Sequence, residues 1–309
     1  MASTDLTAGA APQLRAKRRR YGEDVVKGFL FVCALISVVT TVGIVIALFV
    51  PAFEFFQEIS IVDFFTGKDW SPLFEPAHFG VLPLIGGTLL VTAIASVVAM
   101  PFGLGAAIYM SEYASPRARG ILKPAFEILA GIPTIVFGYF ALTFATPLLR
   151  DIGIQVDIFN TLSAGLVMGV MLMPIVASLS EDAMGAVPRD LRDGAYALGS
   201  TKQQVATRVV VPAAISGIIA SFVLAISRAV GETMIVLIAM GQQPNLTFDP
   251  RAAAEAMTAF IAATGAGDVP TGSIEYKTIF AVGATLFVLT LVMNIFAIRL
   301  VRKYREVYE

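Results

Sequence analysis

Residues 193–212 read DGAYALGSTKQQVATRVVVP and lie between two long apolar runs of the chain. A polar, basic segment held between apolar runs is where a membrane protein meets a soluble partner. Seven residues at fixed spacing characterise the segment. They are Asp193, Gly194 and Ala195 at the start, Gly199 after three further residues, and Val209, Val211 and Pro212 at the end.

The 193–212 segment has few helix breakers, which predicts short helices lying near the membrane surface. Ala195 and Gly199 are four residues apart, so a continuous helix would place both on one nearly bare face where the groove of another protein could close. Pro212 marks the entry to the next apolar run, where its missing N–H costs little. From periodicity alone, an amphipathic connector without a partner remains the alternative.

The composition of the whole chain indicates a membrane protein. It is 57% hydrophobic and 15% charged, with a mean hydropathy of +0.79, which is too apolar for a soluble protein of 309 residues. The net charge of −1 gives no basic field for nucleic acid. The only cysteine excludes an intramolecular disulfide, and the only histidine argues against a histidine-rich metal site.

Six apolar runs are long enough to cross a bilayer core of about 30 Å as helices. We therefore predict an all-α membrane protein with six transmembrane helices. The runs cover residues 29–50, 82–110, 124–149, 162–180, 213–241 and 278–299.

The distribution of Lys and Arg predicts the orientation, because basic residues accumulate in cytoplasmic segments. With both termini inside, 17 of the 22 basic residues are cytoplasmic and four lie in outer loops. This divides the chain into a cytoplasmic N-terminal tail (1–28), a membrane domain (29–299) whose cytoplasmic loop covers 181–212, and a cytoplasmic C-terminal tail (300–309).

The chain lacks the motifs of a catalyst. No segment matches G-x-x-x-x-G-K-[ST], so if ATP drives a process here, a separate subunit binds the ATP and its Mg²⁺. There is no Ser/His/Asp constellation and no paired set of metal ligands. We expect no catalytic residue, no metal site and no cofactor bound by this chain.

Arg228 and Glu232 stand inside the fifth apolar run, in SRAVGETM (227–234). An arginine at the centre of a membrane helix costs about 2.5–3.5 kcal/mol on insertion scales, so such residues are usually functional or paired. Their spacing of four predicts one helix face and mutual neutralisation. Two interpretations stay open: an ion pair that fixes helix register, or a polar stripe in which Arg228 attracts an oxyanion and Glu232 limits how tightly it is held.

Three other polar residues near the apolar runs rank lower. We expect Glu112 and Glu127 to be boundary or helix-contact residues near the cytoplasmic interface, where a carboxylate costs little. Asn294, in the sixth run, is expected to bond a neighbouring helix.

Several motifs together resemble a known family. In bacterial ABC importer permeases the loop that docks the ATPase reads EAA, three residues, Gly, nine residues, then I-x-L-P, and 193–212 keeps this spacing with conservative replacements. From about residue 80 onward the chain resembles the PstC-type permease of the bacterial phosphate ABC importer. The motifs are GTLLVTAIASVVAMPFGLGAAIYMSEYA (87–114), EILAGIPTIVFG (127–138), VPRDLRDGAYALGSTK (187–202) and SRAVGETM (227–234).

The resemblance implies a MetI-like, type I importer permease in the bacterial inner membrane. It implies a heterodimer with a PstA-type permease, a dimer of PstB-type ATPases that binds ATP and Mg²⁺, and a PstS-type phosphate-binding protein outside. It assigns phosphate passage to Arg228 and Glu232 and ATPase docking to residues 193–212, hereafter the coupling segment. The alternatives are another oxyanion, the PstA position, or a secondary transporter that works without ATP.

Overall fold

The computed structural model describes residues 21–303. Residues 1–20 and 304–309 of the two expected tails lie outside the described residues. The helices are α1 (Tyr21–Glu58), α2 (Ile61–Thr66), α3 (Leu82–Ile108), α4 (Pro116–Gly131), α5 (Thr134–Phe140), α6 (Thr146–Asp151), α7 (Thr161–Gly185), α8 (Arg189–Ala197), α9 (Lys202–Val205), α10 (Val211–Ala213), α11 (Ile215–Val230), α12 (Met257–Gly265) and α13 (Ile274–Lys303).

π-Helical segments extend or join several of these helices. They are Tyr109–Tyr113, Ala141–Ala145, Ala206–Val210 and Val236–Met240. The described strands, β1 (Trp70–Ser71) and β2 (His78–Phe79), pair antiparallel with Trp70 opposite Phe79. The chain is thus mostly helical, as expected for a protein that must satisfy its backbone hydrogen bonds within a bilayer.

Within residues 21–303, four continuous helices are long and apolar enough to span a membrane: 22–58, 82–113, 161–185 and 274–299. The number rises to six if each of two bent pairs is counted as one span: 116–131 with 134–151, bent by 88°, and 202–213 with 215–230, bent by 70°. The structure is therefore that of a multi-pass membrane protein with four to six candidate spans, and the third and fifth predicted runs are not straight helices.

Two predicted boundaries are wrong. The third apolar run was predicted to start at 124, but helix α4 starts at Pro116, where the Ser115 side chain accepts a hydrogen bond from the Ala118 N–H. The fourth apolar run ends at 180, yet α7 continues to Gly185 and buries Glu181. Hydropathy detects the apolar core of a span and misses polar turns that a neighbouring helix covers.

The chain divides into two compact units, residues 1–47 and 48–309. In the first unit, the described part of α1 carries apolar side chains that are nearly all exposed, such as Phe29, Phe31 and Ile36. Such a surface suits a lipid or protein environment, since it would be costly in water.

The centre of the second unit is the packing of α3 against α7. Small residues allow the two backbones to approach closely: a Cβ added at Gly169 would lie 2.6 Å from the Val98 Cβ, and one at Gly103 would lie 2.7 Å from the Val176 Cβ. In lipid, close van der Waals packing replaces the hydrophobic effect as the force between helices. The α3–α7 pair thus forms a rigid frame for the elements around it.

Two further apolar clusters lie in the second unit. In one, Phe55, Phe64 and Trp70 pack against α12 and α13, and the Trp70 and Phe260 rings meet edge to face with centroids 4.9 Å apart. In the other, Val205 and Val210 of the coupling segment are buried together with Ala107, Met184 and Ile218. This second cluster attaches the coupling segment to α3, α7 and α11.

Candidate functional site: a charged cavity and the coupling segment

The fifth apolar run is broken beside its charged residues. Helix α11 ends at Val230, residues 231–233 are not helical, and helical structure resumes at Met234. The expectation of one continuous helical face carrying Arg228 and Glu232 is therefore wrong. Within residues 21–303, no ion pair joins the two side chains.

Glu232 instead caps the helical turn that follows the break. Its Oε1 accepts hydrogen bonds from the backbone N–H groups of Met234 (3.1 Å) and Ile235 (3.4 Å). Its own carbonyl accepts a hydrogen bond from the Thr258 Oγ1 at 2.6 Å. Because the side chain is buried, these bonds satisfy a carboxylate that would otherwise be costly, and they hold the break in place.

Arg228 lies on the exposed side of α11 and lines a cavity of about 430 Å³ between α4, α7 and α11. The charged residues of the lining are Lys123 and Glu127 of α4, Glu181 of α7, and Arg228. The rest is mainly apolar, including Phe126, Pro174 and Leu224. The two cations are matched by two carboxylates, and among the described residues Arg228 is the lining cation without an ion-pair partner. Apolar walls strengthen the attraction of such a guanidinium for an anion, because the local dielectric is low.

Glu127, predicted as a boundary residue, is thus part of this cavity. It lies four residues after Lys123 and eight after Arg119, so the three charges share one face of α4. Arg119 and Lys123 were not among the predicted site residues, because both precede the third apolar run, which was predicted to start at 124. Their spacing of four was the signal that could have found them.

Glu181 is the other residue that sequence reasoning missed. Its side chain is 1% exposed, and its Oε1 accepts hydrogen bonds from the Arg119 guanidinium, with 2.6 Å to Nε. The Lys123 Nζ lies 3.5 Å from the Glu181 Oε2. A buried charge between two helices is retained only where it is paired, and this one pairs α7 with α4.

Glu112 and Asn294 make the helix contacts predicted for them. The Arg192 Nη2 donates to the Glu112 Oε1 at 3.2 Å, and the Ser227 Oγ donates to the Asn294 Oδ1 at 2.8 Å, which links α11 to α13.

The coupling segment is formed by two short helices separated by a tight turn. Helix α8 ends with the Gly199 N–H bonded to the Tyr196 carbonyl (2.9 Å) and the Ser200 N–H bonded to the Ala195 carbonyl (3.1 Å). This is a Schellman motif, and Gly199 occupies its left-handed position with φ +81°. Ala195 and Gly199 therefore do not share a continuous helical face, and that expectation is wrong.

Thr201 starts α9 through a capping box, in which its side chain accepts from the Gln204 N–H and the Gln204 side chain accepts from the Thr201 N–H. The remaining predicted docking residues divide by exposure. Asp193, Gly194, Gly199 and Pro212 are exposed, whereas Ala195, Val209 and Val211 are half-buried. Leu198 at the tip of the turn is 89% exposed, and it offers an apolar contact that the predicted motif did not include.

Arg192 anchors α8 to the rest of the molecule. Besides Glu112, it donates to the carbonyls of Val187 and Met184, both at 2.7 Å. Met184 is near the end of α7, three residues after Glu181. A displacement of α8 therefore acts directly on the end of α7 that borders the cavity.

Away from these two regions, Glu255 is 5% exposed in the segment before α12. Burial raises the pKa of its carboxyl to about 7. Among the described residues, no group of three or more His, Cys, Asp or Glu side chains is arranged to hold a metal ion.

Comparison with known proteins gives a family match. The sequence profile described as "Binding-protein-dependent transport system inner membrane component" matches residues 99–306. The probable ABC transporter permease protein YqgH of Bacillus subtilis is 33% identical over 96% of each chain. The phosphate transport system permease protein PstC of Xylella fastidiosa is 34% identical over 78% of this chain and 80% of that protein. The PstC of Mesorhizobium japonicum is 32% identical over 83% of each.

Solved structures share the fold. A chain of a bacterial alginate ABC transporter in complex with its periplasmic protein superposes with a TM-score of 0.65, covering 93% of this chain and 98% of that chain at 17% identity. A chain of the inward-facing MetNI methionine ABC transporter gives a TM-score of 0.56, covering 74% and 95% at 18% identity.

Proposed function

Because the chain belongs to the family of binding-protein-dependent transport system inner membrane components, we propose that it is the permease subunit through which an ATP-driven importer moves inorganic phosphate into the cell. The substrate follows from the similarity to PstC permeases over most of the chain and from the chemistry of the cavity.

The observation that carries the proposal is Arg228 at a cavity inside an apolar bundle. Its planar guanidinium can donate two hydrogen bonds to two oxygens of one phosphate, which makes arginine the preferred partner of tetrahedral oxyanions. Glu232 is buried and does not line this cavity, so its proposed role is indirect: its carboxylate caps the helical turn after the break. Its backbone N–H donates to the Ala229 carbonyl at the end of the helix that carries Arg228.

The coupling segment docks the ATPase in this proposal. Its exposed tip at Leu198 and Gly199 contacts the partner. Buried Val205 and Val210 and the anchor Arg192 transmit the movement of the ATPase to α3 and α7. Nucleotide and Mg²⁺ are bound by the ATPase dimer, and this chain contributes no catalytic residue.

The proposed complex contains one PstA-type permease, two PstB-type ATPases and a PstS-type binding protein that delivers phosphate from outside. In this proposal both termini and the coupling segment face the cytoplasm, the orientation that the distribution of basic residues predicts.

The test is uptake of labelled phosphate into membrane vesicles that contain this chain, its partner permease, the ATPase and the binding protein, with excess sulfate as competitor. The proposal predicts uptake that requires ATP and resists sulfate. Uptake without ATP would indicate a secondary transporter. An assembled complex that takes up another oxyanion and not phosphate would move the substrate assignment away from phosphate.

A further inference from the structure

The end of the cavity formed by α4 and α7 contains an unsatisfied carboxylate oxygen. The Oε1 of Glu181 is held by Arg119, but its Oε2 is buried and has no hydrogen-bond partner among the described residues. A buried charged acceptor without a hydrogen bond is expensive, so such an atom calls for a donor.

Lys123, beside it, has unused donors. Its Nζ lies 3.5 Å from the Glu181 Oε2 and 3.7 Å from the Asp182 Oδ1, whereas charge-assisted N–H···O bonds measure about 2.7–2.9 Å. Its side chain is 43% exposed and flexible. Lys123 can therefore turn to a ligand in the cavity and uncover the carboxylate.

This charged pair lies at the opposite end of the cavity from Arg228. Helices α7 and α11 meet where the hydroxyls of Ser180 and Ser221 are 2.8 Å apart. Arg228 is seven residues further along α11, which corresponds to about 10 Å at 1.5 Å per residue. An anion that leaves Arg228 toward the coupling segment thus meets Lys123 and Glu181 next.

A ligand that satisfies both groups must be an anion that also carries a hydrogen-bond donor. The ammonium of Lys123 needs negative charge, and the Glu181 Oε2 needs an O–H. Inorganic phosphate has both, since it keeps at least one P–OH group at neutral pH. Sulfate has no S–OH group under these conditions and would meet the carboxylate as a bare like charge.

We propose that Lys123 and Glu181 form a second anion position, which admits protonated oxyanions such as phosphate and rejects sulfate. Lys123 binds the oxyanion, the Glu181 Oε2 accepts its O–H, and Arg119 orients the carboxylate. The proposal rests on the proposed function and adds a selectivity determinant inside the permease. Bound sulfate would leave the Glu181 Oε2 without a hydrogen bond. The cost of that unpaired acceptor predicts that the position binds phosphate about tenfold or more tightly than sulfate.

Modification of a cysteine in the cavity tests this position directly. The parent variant is Cys33→Ser with Ser178→Cys, because Cys33 is the only cysteine of the chain and Ser178 lines the cavity. The complete complex in nanodiscs is treated with neutral N-ethylmaleimide, and inorganic phosphate or sulfate is the probe. The matched control carries Thr271→Cys, at an exposed position outside the cavity.

We expect phosphate to slow modification at 178 at concentrations about tenfold lower than sulfate, and neither anion to slow it at 271. Lys123→Gln should weaken protection by both anions, and the protection that Arg228 still gives should show no preference between them. Glu181→Gln should give sulfate protection equal to that of phosphate, because the amide can donate as well as accept. Equal protection by both anions in the parent, or a preference that survives Glu181→Gln, would overturn the proposal.

Comparison of the uptake measurement with protection at 178 distinguishes failure of the second anion position from failure of the proposed function. Phosphate-specific uptake without any anion preference at 178 would refute the second anion position and leave the importer intact. A clear preference at 178 in an assembled complex that takes up no phosphate would support the anion position and refute the proposed function.

Discussion

The cavity and the coupling segment satisfy their polar groups in different ways. In the coupling segment, the Schellman motif at Gly199 and the capping box at Thr201 use the polar groups locally. Arg192, just before the segment on α8, donates to three acceptors outside it. In the cavity, the Glu181 Oε2 has no hydrogen bond, and Lys123 lies beyond hydrogen-bond distance of its two carboxylates.

The difference separates two tasks. A segment whose polar groups are hydrogen-bonded is rigid and can transmit the movement of the ATPase. A cavity whose charges are incompletely paired gains free energy when a ligand supplies the missing partners. We therefore expect changes in the cavity to alter which anion moves, and changes in the coupling segment to alter whether ATP hydrolysis moves it.

The largest effect is expected for Arg228→Ala. Removing two charge-assisted hydrogen bonds to the anion should lower phosphate uptake by about 100-fold or more. The complex should still assemble, because the Arg228 side chain makes no hydrogen bond or ion pair among the described residues. Uptake into vesicles and co-purification of the partner subunits measure the two results. Arg251→Ala, which removes an exposed guanidinium paired with Asp249, is the control and should transport normally.

A smaller effect, about tenfold in uptake, is expected for Arg192→Ala. The change removes the charged donor that Glu112 and the Met184 and Val187 carbonyls share, which should also destabilise the subunit by about 2 kcal/mol. Uptake per ATP hydrolysed and thermal unfolding in detergent measure the loss. Arg189→Ala, on an exposed position of the same helix, should leave both unchanged. Equal effects of the two substitutions would refute the anchoring role of Arg192.

Gly199 distinguishes backbone strain from ATPase docking. With φ +81° and open space where a Cβ would stand, Gly199→Ala should cost about 1 kcal/mol through strain, and Gly199→Asn less. Gly199→Glu adds a bulky charge at the docking surface. We expect uptake to fall several-fold more with Glu than with Ala. If Glu and Ala reduce uptake equally, strain explains the whole effect, and full activity with Glu would remove Gly199 from the docking surface.

The smallest effect concerns Glu255, which lies in neither region. Its pKa is raised from 4.5 to about 7, so the folded protein binds this proton more tightly than the unfolded chain. Stability is therefore lost as the pH rises from 4.5 to 7 and stays low above that. Glu255→Gln should raise the apparent unfolding temperature by about 2–4 °C at pH 8 and barely change it at pH 5.

Asp268→Asn is the control for Glu255→Gln, because Asp268 is an exposed acid in the segment between α12 and α13. It should show no such pH dependence. An equal gain for Glu255→Gln at both pH values would contradict the buried, proton-binding carboxyl.

The sequence predicts the number and approximate place of the apolar runs, because burial in lipid requires about 20 apolar residues per span. It also predicts the helix contacts of Glu112 and Asn294, since a polar group beside an apolar run needs a partner. Arg228 can also be recognised from the sequence, because it is a charged residue inside an apolar run. These features depend on the average composition of a stretch of sequence. They can therefore be predicted even where the local helix geometry is predicted wrongly.

Pair geometry could not be predicted in the same way. The spacing of four in Ala195 with Gly199, and in Arg228 with Glu232, implies a shared face only if the helix is continuous. The helix ends at 197 in one case and at 230 in the other. Glu181 was missed because its burial depends on α4, a long-range contact that hydropathy along one segment does not contain. Local caps determine where the helices end, and a partner on another helix determines the burial of Glu181.

The most direct test of the central claim is to measure phosphate uptake and ATP hydrolysis in the same vesicles containing the Arg228→Ala complex. If the cavity binds the anion and the coupling segment transmits the movement, uptake is lost while hydrolysis stimulated by the loaded binding protein persists. Normal uptake, or loss of stimulated hydrolysis together with uptake in a fully assembled complex, would contradict this division.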